Sequence, residues 1–509
     1  MTKVLESVHH IVWGMPTLVL IIGVGVYLAL MTRFAQIRLL PRALREFFQK
    51  LCKGPAEEAA VSPFQALCTA LAATVGTGNL VGVAGAICIG GPGAVFWMWL
   101  CGLLGMATKF AEATLAVRWR IREEGEYIGG PMYMISRGMG EKWHWMACIY
   151  SFFGIVAAFG VGNATQINAV ITGVNGVLAR CGASPSRQRD LLIGITLAVL
   201  VGAMLLGGAK RIGRAAERLV PFTSAGYILL CAGVLAVRAE AVPEAFGMIF
   251  RGAFSPRAVT GGVVGSMLQA LRVGCARGVF TNEAGMGTAS IAHASAQVDH
   301  PAEQGLMGIL EVFLDTIVMC TLTALAILVS GVRIPYGLDA GAELTVAAFT
   351  AVYGDWAAVF IAAALCCFAL ATVLGWGLYG VRCARFLFGP GSGRYFALLQ
   401  TLTVVFSAVL ETGTVWLLAE IINGLMAIPN LIALAWLSGD FAKLVTEYER
   451  RSGAEPVEVR YANLDQCKPL RALSYAEIPS PCRGGKEQGQ AHLSSEYRPA
   501  RSAHAPGLL

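Results

Sequence analysis

Two apolar stretches of the chain are interrupted by glycines where a helix would otherwise continue. Residues 74–79 read TVGTGN, and residues 272–278 read RVGCARG. Glycine is a poor helix former, so each stretch predicts a local break. A broken helix offers free N–H groups that hold a carboxylate and free C=O groups that hold an ammonium or a sodium ion. Two facing breaks therefore predict a site for an amino-acid zwitterion, whereas close packing of helices on glycine is the alternative.

Several polar or aromatic side chains in apolar stretches could complete such a site. Thr77 and Asn79 lie inside the first interruption, and Gln166 lies in another apolar run. Thr372 and Trp376 are four residues apart, so they share one face of a helix. The hydroxyl could bind a cation and the indole could wall a pocket, although a packed helix interface would use the same residues. An amide in hydrocarbon commonly bonds a neighbouring helix, so both roles stay open for Gln166.

Charged residues inside apolar stretches need partners, because an isolated charge is costly in a membrane. Lys109 and Glu112 are three residues apart, which predicts that they pair with each other or with a loop. Glu311 and Asp315 are four residues apart in another run. A structural role and a role as proton carriers both remain open for these two carboxylates.

Arg277 and Glu283 flank the second interruption, where they could form a gate or a static ion pair. His293 and His300 are seven residues apart with no third ligand nearby, so no metal site is predicted. The cysteines show no CxxC spacing. The chain also has no nucleophile motif, phosphate loop or HExxH pattern, and the sequence therefore does not predict an enzyme.

The elements that position these residues are membrane helices. Of 509 residues, 56% are hydrophobic and only 14% are charged, whereas soluble domains carry about 25% charged residues. Apolar runs of about 20 residues, each long enough to cross a bilayer, recur along the chain. They predict an all-α polytopic membrane protein with eleven transmembrane helices, at 12–32, 64–90, 93–118, 147–176, 190–207, 217–237, 258–290, 305–331, 355–381, 395–412 and 414–438.

The net charge of +7 resides mainly in short loops between these runs, which favours membrane orientation over a nucleic-acid partner. The richer set of basic loops predicts an outside N-terminus and a cytoplasmic C-terminus. We expect an N-terminal helix with a basic cytoplasmic loop at 1–63, five-helix repeats at 64–238 and 239–448, and a disordered cytoplasmic tail at 449–509. Five helices per block place the two blocks in opposite topology, as in an inverted repeat.

Residues 70–120 read ALAATVGTGNLVGVAGAICIGGPGAVFWMWLCGLLGMATKFAEATLAVRWR, residues 277–293 read RGVFTNEAGMGTASIAH, and residues 423–433 read NGLMAIPNLIA. With GGPMY at 129–133, these segments resemble the alanine or glycine:cation symporter family of prokaryotes. The resemblance runs from about residue 10 to 448. It implies a LeuT-like fold of five plus five inverted helices with one extra N-terminal helix. It also implies sodium-coupled uptake of small neutral amino acids, such as alanine or glycine, across the cytoplasmic (inner) membrane of a prokaryote.

The resemblance also implies which residues form the site, with sodium as the coupling ion, no other metal and no cofactor. Substrate would lie against the two unwound stretches and the side chains facing them: Ala73, Thr74, Thr77, Gly78, Asn79, Gln166, Leu271, Gly274, Cys275 and Trp376. Sodium would lie between the carbonyl groups of Ala72 and Val75 and the Thr372 hydroxyl.

Three positions depart from the family pattern. Ala371 replaces a hydroxyl residue beside Thr372, which bears on the affinity for sodium and on the identity of the ion. Leu271 and Val273 replace an aromatic residue and a tryptophan before the second glycine, which bears on pocket size. The alternatives to a sodium symporter are a proton-coupled carrier, a channel, a membrane protein that binds an amino acid without moving it, and a membrane-embedded enzyme.

Overall fold

The computed structural model describes residues 2–52, 61–180, 182–184, 186–254, 267–338, 341–409 and 412–451. The described elements are helices, apart from one two-stranded hairpin. A helix satisfies its own backbone N–H and C=O groups, which hydrocarbon cannot do. The all-α class predicted from the apolar runs is confirmed.

The first half of the chain alternates long helices with short interruptions. Its helices are α1 Thr2–Val12, α2 Met15–Met31, α3 Ala35–Arg38, α4 Leu40–Cys52, α5 Pro63–Thr74, α6 Val83–Gly90, α7 Gly93–Arg118, α8 Pro131–Tyr133, α9 His144–Phe159, α10 Thr165–Arg180, α11 Arg187–Leu205 and α12 Gly208–Val237. Wider π-helical turns lie at Gly78–Gly82, Met134–Met139 and Gly160–Ala164, and a 3₁₀ turn lies at Glu141–Trp143. The antiparallel hairpin pairs β1 Ile121–Glu123 with β2 Glu126–Ile128.

The second half begins with a 3₁₀ turn at Ala239–Ala241. Its helices are α13 Val242–Phe254, α14 Met267–Asn282, α15 Thr288–His293, α16 Pro301–Val312, α17 Thr321–Val329, α18 Ala342–Tyr353, α19 Trp356–Phe388, α20 Ser392–Ser407, α21 Thr412–Trp436 and α22 Ser438–Arg451. A π-helical turn at Phe313–Cys320 joins α16 to α17.

Seven helices in the described part of the chain are long and apolar enough to cross a membrane. An eighth span results if the bent pair Pro63–Thr74 and Gly78–Gly90 counts as one. The predicted count of eleven is not confirmed by these lengths. Shorter elements such as α2 and α14 fall below the length of a full span, and the proposed limits of the two repeats stay predictions.

Helix α7 lies in the interior of the fold, between several other helices. It packs against α16, α14, α2 and α13, and its second half is buried on every side. Where it meets α13, a Cβ atom added to Gly93 would lie 2.2 Å from the backbone carbon of Gly252. Glycine at both positions therefore allows the two backbones to touch. The charged pair Lys109 and Glu112 lies in the buried half of this helix.

The second predicted break is not where the sequence placed it. Helix α14 continues through residues 272–278 without interruption and ends at Asn282. The chain leaves the helix at Glu283 and re-enters one at Thr288. Gly274 faces α7: an added Cβ atom would lie 2.3 Å from the Ala94 carbonyl oxygen and 2.7 Å from the Trp97 Cβ atom. At this position the packing alternative is correct, because a neighbouring backbone occupies the space of a side chain.

Two further differences concern the hairpin and the C-terminal segment. The sequence did not predict the hairpin, whose carboxylates bind the end of α19: Arg382 pairs with Glu126 at 2.8 Å and Arg385 pairs with Glu123 at 2.8 Å. The segment assigned to the tail begins inside α22, which is helical through Arg451. The rest of the predicted disordered tail lies outside the described residues.

We expect Gly274→Ala to lower the thermal midpoint of the detergent-purified protein, because overpacking costs about 1–3 kcal/mol. Substrate affinity should change little, since this glycine packs on α7. Gly176→Ala is the matched control, because nothing lies within 4 Å of its added Cβ atom. This second change should be neutral or stabilising by up to about 1 kcal/mol. Normal stability with weakened binding in Gly274→Ala would restore Gly274 to the site.

Candidate functional site

The first break lies where the sequence predicts it. Helix α5 ends at Thr74, Val75 adopts an extended conformation with φ −75° and ψ 106°, and a π-helical turn begins at Gly78. The two half-helices are bent by 50° relative to each other. The backbone thus leaves helical geometry at Val75, directly before Gly76. It becomes helical again in the first turn of the second half-helix.

Asn79 holds this break open. Its side-chain oxygen accepts the Gly76 N–H at 2.8 Å, as a residue in the first helical turn does when it caps the preceding backbone. Its Nδ2 donates to the carbonyl oxygen of Asp315 at 3.1 Å and to Oδ1 of the same residue at 2.7 Å. Asn79 is fully buried, and both ends of its amide are engaged. The residue therefore ties the break to the π-helical turn between α16 and α17.

The cation residues implied by the resemblance meet across α5 and α19. Thr372 Oγ1 donates to the Ala72 carbonyl oxygen at 3.0 Å. The same hydroxyl would lie 2.9 Å from a Cβ atom on Gly76, and an added Cβ on Gly375 would lie 2.9 Å from the Ala73 Cβ atom. The small residues of α19 therefore bring the Thr372 hydroxyl and the end of α5 together. Val75 lies at the start of the break itself.

The opposite wall comes from the junction of α9 and α10. The π-helical turn there turns the Val161 carbonyl oxygen toward Gln166 Nε2, at 3.2 Å. Gln166 Oε1 accepts a long hydrogen bond of 3.4 Å from Thr77 Oγ1. Trp376 packs on Gly162, where an added Cβ atom would lie 2.2 Å from the Trp376 Cβ atom. Gln166 and Trp376 therefore reach the region of the first break from two different helices.

The second break follows α14, at residues 283–287. Glu283, Gly285 and Gly287 have φ of 53°, 95° and 78°. Such left-handed values favour glycine, and a non-glycine residue needs support to hold one. Glu112 Oε1 supplies this support by accepting the N–H groups of Gly285 at 2.9 Å and Gly287 at 3.1 Å, together with Asn430 Nδ2 at 2.8 Å.

Glu283 joins this second break to the site. Its Oε1 accepts the Trp376 indole N–H at 3.2 Å, and its Oε2 accepts the Thr288 hydroxyl at 2.6 Å. Of the two roles left open for Arg277 and Glu283, the structure does not form the static ion pair, since Arg277 Nη1 lies 3.8 Å from Glu420 Oε1. Arg277 lies more than one helical turn before Glu283. Because the helix ends at Asn282, between the two residues, their side chains reach different neighbours.

The structure thus brings together most of the predicted residues and separates a few. Around the first break lie Ala72, Ala73, Val75, Thr77, Gly78, Asn79, Gln166, Thr372 and Trp376. Thr74 bonds back to the Ala70 carbonyl oxygen of its own helix at 3.3 Å. The break expected around Leu271, Gly274 and Cys275 is absent because this part of α14 packs on α7: the Cys275 carbonyl oxygen accepts from Cys101 Sγ at 3.7 Å.

The sequence did not assign three residues to the substrate or cation site, although it raised Glu283 as a gate or ion pair and Asp315 as a proton carrier. Thr281 lies against Gly78, whose added Cβ atom would be 3.1 Å from the threonine Cγ2 atom. Glu283 orients Trp376, and Asp315 receives Asn79. The signal for Glu283 was the spacing of Gly285 and Gly287 directly after it, two glycines that fit left-handed positions as well as they fit packing.

Bent and broken helices that meet in the buried interior define a LeuT-like fold. The solved structure of MhsT in complex with L-phenylalanine has this fold at a TM-score of 0.52, with 13% identity, covering 77% of this chain and 99% of that chain.

A sequence model of the sodium:alanine symporter family matches residues 1–461, and the chain belongs to this family. It is therefore a sodium-coupled amino-acid symporter. The sodium/alanine symporter AgcS of Methanococcus maripaludis is 42% identical over 444 residues, which cover 86% of this chain and 95% of that one. The probable sodium/glutamine symporter GlnT of Bacillus subtilis is 34% identical over 467 residues, covering 90% and 94%.

We expect Gly162→Ala to displace Trp376, because the added methyl group would lie inside the space of the tryptophan side chain. The initial rate of amino-acid uptake should fall at least about tenfold, which corresponds to an increase of about 1.4 kcal/mol in the barrier of the transport step. Gly173→Ala in α10 is the control, since its nearest neighbour would lie 3.8 Å away. Equal uptake by both variants would remove Trp376 from the site.

Proposed function

We propose that the chain takes up small neutral amino acids, such as alanine or glycine, together with sodium, by alternating access around the first break. The observation that carries this proposal is the chemistry of the backbone at residues 72–78. Within the described residues, the hydrogen bonds leave the N–H groups of Thr77 and Gly78 without an acceptor. On the other side of the bend, the Ala72 carbonyl oxygen meets the Thr372 hydroxyl.

The carboxylate of the substrate would bind the N–H groups of Thr77 and Gly78. These groups open the half-helix Gly78–Gly90, whose aligned peptide dipoles place partial positive charge at its first turn. Asn79 already occupies the Gly76 N–H, so the site has two donors of fixed position. A carboxylate with two oxygens matches this geometry, and no basic side chain is needed.

The side chain of the substrate would face Trp376, Gln166 and Thr77. Trp376 is fully buried and braced between Gly162 and Glu283, so its indole has little freedom to move aside. The carboxylate that contacts Trp376, Glu283, is also bonded to Thr288. These contacts favour a short neutral side chain over a charged or aromatic one. The name of the Bacillus subtilis relative makes glutamine the natural upper limit to test.

The sodium ion would bind between the Ala72 and Val75 carbonyl groups and the Thr372 hydroxyl. Sodium prefers oxygen ligands of this kind, and the free C=O groups of a broken helix supply them. Thr372 Oγ1 now donates to the Ala72 carbonyl oxygen, and a cation would replace that hydrogen bond by contacts with both oxygens. Ala371 beside it provides no hydroxyl, so this set is sparse in side-chain ligands.

The basic loops support an orientation with the N-terminus outside and the C-terminus in the cytoplasm of a prokaryotic cell. The lipid partner would be the cytoplasmic membrane. This orientation places the start of α5 at the inner face and the start of α14 at the outer face. The half-helix α5 would then close the inner path from the site, and α14 the outer path.

Uptake of labelled alanine into proteoliposomes, with and without an inward sodium gradient, tests the proposal. We expect saturable uptake that requires sodium and is inhibited by unlabelled glycine and alanine. Glutamine should compete weakly, whereas lysine, glutamate and tryptophan should not compete. Uptake driven equally well by a proton gradient without sodium would favour the proton-coupled alternative. Binding without any uptake would favour a protein that does not transport.

The role of Thr372 has its own test. Thr372→Ala removes one neutral ligand, worth roughly 1 kcal/mol or more, so the sodium concentration for half-maximal uptake should rise several-fold. Thr372→Ser keeps the hydroxyl and should behave nearly as the wild type, which controls for the change in packing. Adding the missing hydroxyl through Ala371→Thr should strengthen the dependence on sodium. An unchanged sodium dependence in Thr372→Ala would exclude this residue as a ligand.

A further inference from the structure

A buried polar network lies beside the transport site and has no part in the function proposed above. Lys109 Nζ on α7 lies 3.3 Å from Glu311 Oε1 and 3.8 Å from Glu112 Oε2. Glu311 Oε2 lies 2.9 Å from His293 Nε2, and His293 Nδ1 lies 2.7 Å from Gln304 Nε2. All five side chains are fully buried.

The network has more carboxylates than cations. Lys109 faces Glu112 and Glu311 directly, and its field also reaches Glu283. Three carboxyl groups around one ammonium group favour the uptake of a proton, because like charges repel strongly in a medium of low dielectric constant. An added positive charge is therefore favourable here. His293, which touches Glu311, has a ring that can hold a second proton.

The hydrogen bonds of His293 define its present protonation state. An amide NH₂ group only donates, so His293 Nδ1 accepts from Gln304. The Nε2 atom then carries the proton and donates it to Glu311. The imidazole is neutral in this arrangement. Among the described residues, the other end of the amide, Gln304 Oε1, is buried without a hydrogen-bond partner.

Rotation of the Gln304 amide by half a turn would accommodate a second proton. The Gln304 oxygen Oε1 would then face His293 Nδ1 and accept the new N–H of the ring. The His293 Nε2–H would continue to donate to Glu311. The orphaned oxygen would gain a partner, and the imidazolium would lie between a carboxylate and an amide oxygen. Each protonation state of His293 therefore fits one orientation of the amide. The neutral ring leaves the Gln304 oxygen without a partner among the described residues, and the imidazolium moves the Gln304 NH₂ group into that same position.

The same amide reaches the inner end of the first broken helix. Gln304 Nε2 also donates to the carbonyl oxygen of Pro63, the first residue of α5, at 3.4 Å. Next to it, the Val61 carbonyl oxygen accepts the Gln297 N–H at 2.9 Å. Rotation of the amide would remove the contact with Pro63. Protonation of His293 would thus weaken the attachment of α5 to the segment that follows α15.

We propose that His293 is a proton-binding site, and that Gln304 transmits its protonation to the inner end of α5 and so promotes inward opening. The proposal rests on the proposed function, because it assigns α5 to the inner path. It adds a second ion site to this carrier, separate from the oxygen ligands around Thr372. When His293 is protonated, the attachment of α5 is weakened, and when His293 is neutral, the attachment is intact.

Several charged and titratable groups surround His293 in the described part of the chain. Glu311 contacts the ring, and Lys109, Glu112 and Glu283 lie beyond Glu311. The helices packed against α15 are α5, α7, α8 and α19. Their other titratable residues in the buried interior are Cys68, Cys101, Tyr133, Tyr379, Arg382 and Cys383. Of these, Arg382 is paired with Glu126.

The test measures alanine uptake at saturating sodium, with equal pH on both sides of the proteoliposome. Between about pH 8.5 and about pH 5.5, a range that brackets ordinary histidine titration, wild-type uptake should rise several-fold as the pH falls. His293→Gln keeps a donor to Glu311 but cannot gain a proton, so its uptake should vary by less than about twofold over the same range. The control is His300→Gln, which alters a buried histidine outside the network and should follow the wild type.

Three outcomes would overturn the proposal: wild-type uptake that does not rise at low pH, a His293→Gln profile that matches the wild type, or a His300→Gln profile that is flat. A readout independent of transport is the NMR spectrum of ring-labelled histidine in detergent. The signal missing from His293→Gln must titrate in the wild type between about pH 5.5 and about pH 8.5. If that signal titrates but alanine, glycine and glutamine are not transported, the proposed function fails while the proton site stands.

Discussion

Every backbone group exposed inside the membrane needs a hydrogen-bond partner, and this requirement shapes the centre of the molecule. A continuous helix meets it alone, whereas a broken helix needs side chains to do so. At the first break the partner is the neutral amide of Asn79, and at the second it is the carboxylate of Glu112. The chemistry of the two breaks therefore differs, although both interrupt membrane helices.

The choice of a carboxylate at the second break has consequences for the whole interior. Glu112 needs a counter-charge, and Lys109 one turn earlier on α7 supplies it. The ammonium group in turn faces Glu311, and Glu311 holds His293. A network of buried charges follows from the need to hold Glu283, Gly285 and Gly287 in left-handed conformations. Lys109 and Glu112 lie on α7, which packs against α16, α14, α2 and α13, so these two charges are held by a helix with neighbours on several sides.

Widened turns surround the site on several sides. The π-helical turns Gly78–Gly82, Gly160–Ala164 and Phe313–Cys320 lie in three different spans. Each one redirects a carbonyl group from its own helix to a side chain: Val161 receives Gln166, and Asp315 receives Asn79. Such turns are often found at functional positions because they free backbone groups without ending a helix. The site is thus built largely from backbone, and its side chains mainly hold that backbone in place.

The sequence by itself determined the membrane class and the first break, because apolar length and short-range spacing are local properties. It brought Lys109 and Glu112 close together but left their partners open. It also identified Thr372 and Trp376 as residues of one helix face. Only the tertiary structure decided the second break. A glycine such as Gly274 fits a break and a close helix contact equally well, and the answer lies in Ala94 and Trp97, which are far away in the chain. Long-range packing likewise decided that Glu283 bonds Trp376 and that Arg277 approaches Glu420. Partners on different helices depend on how those helices face each other.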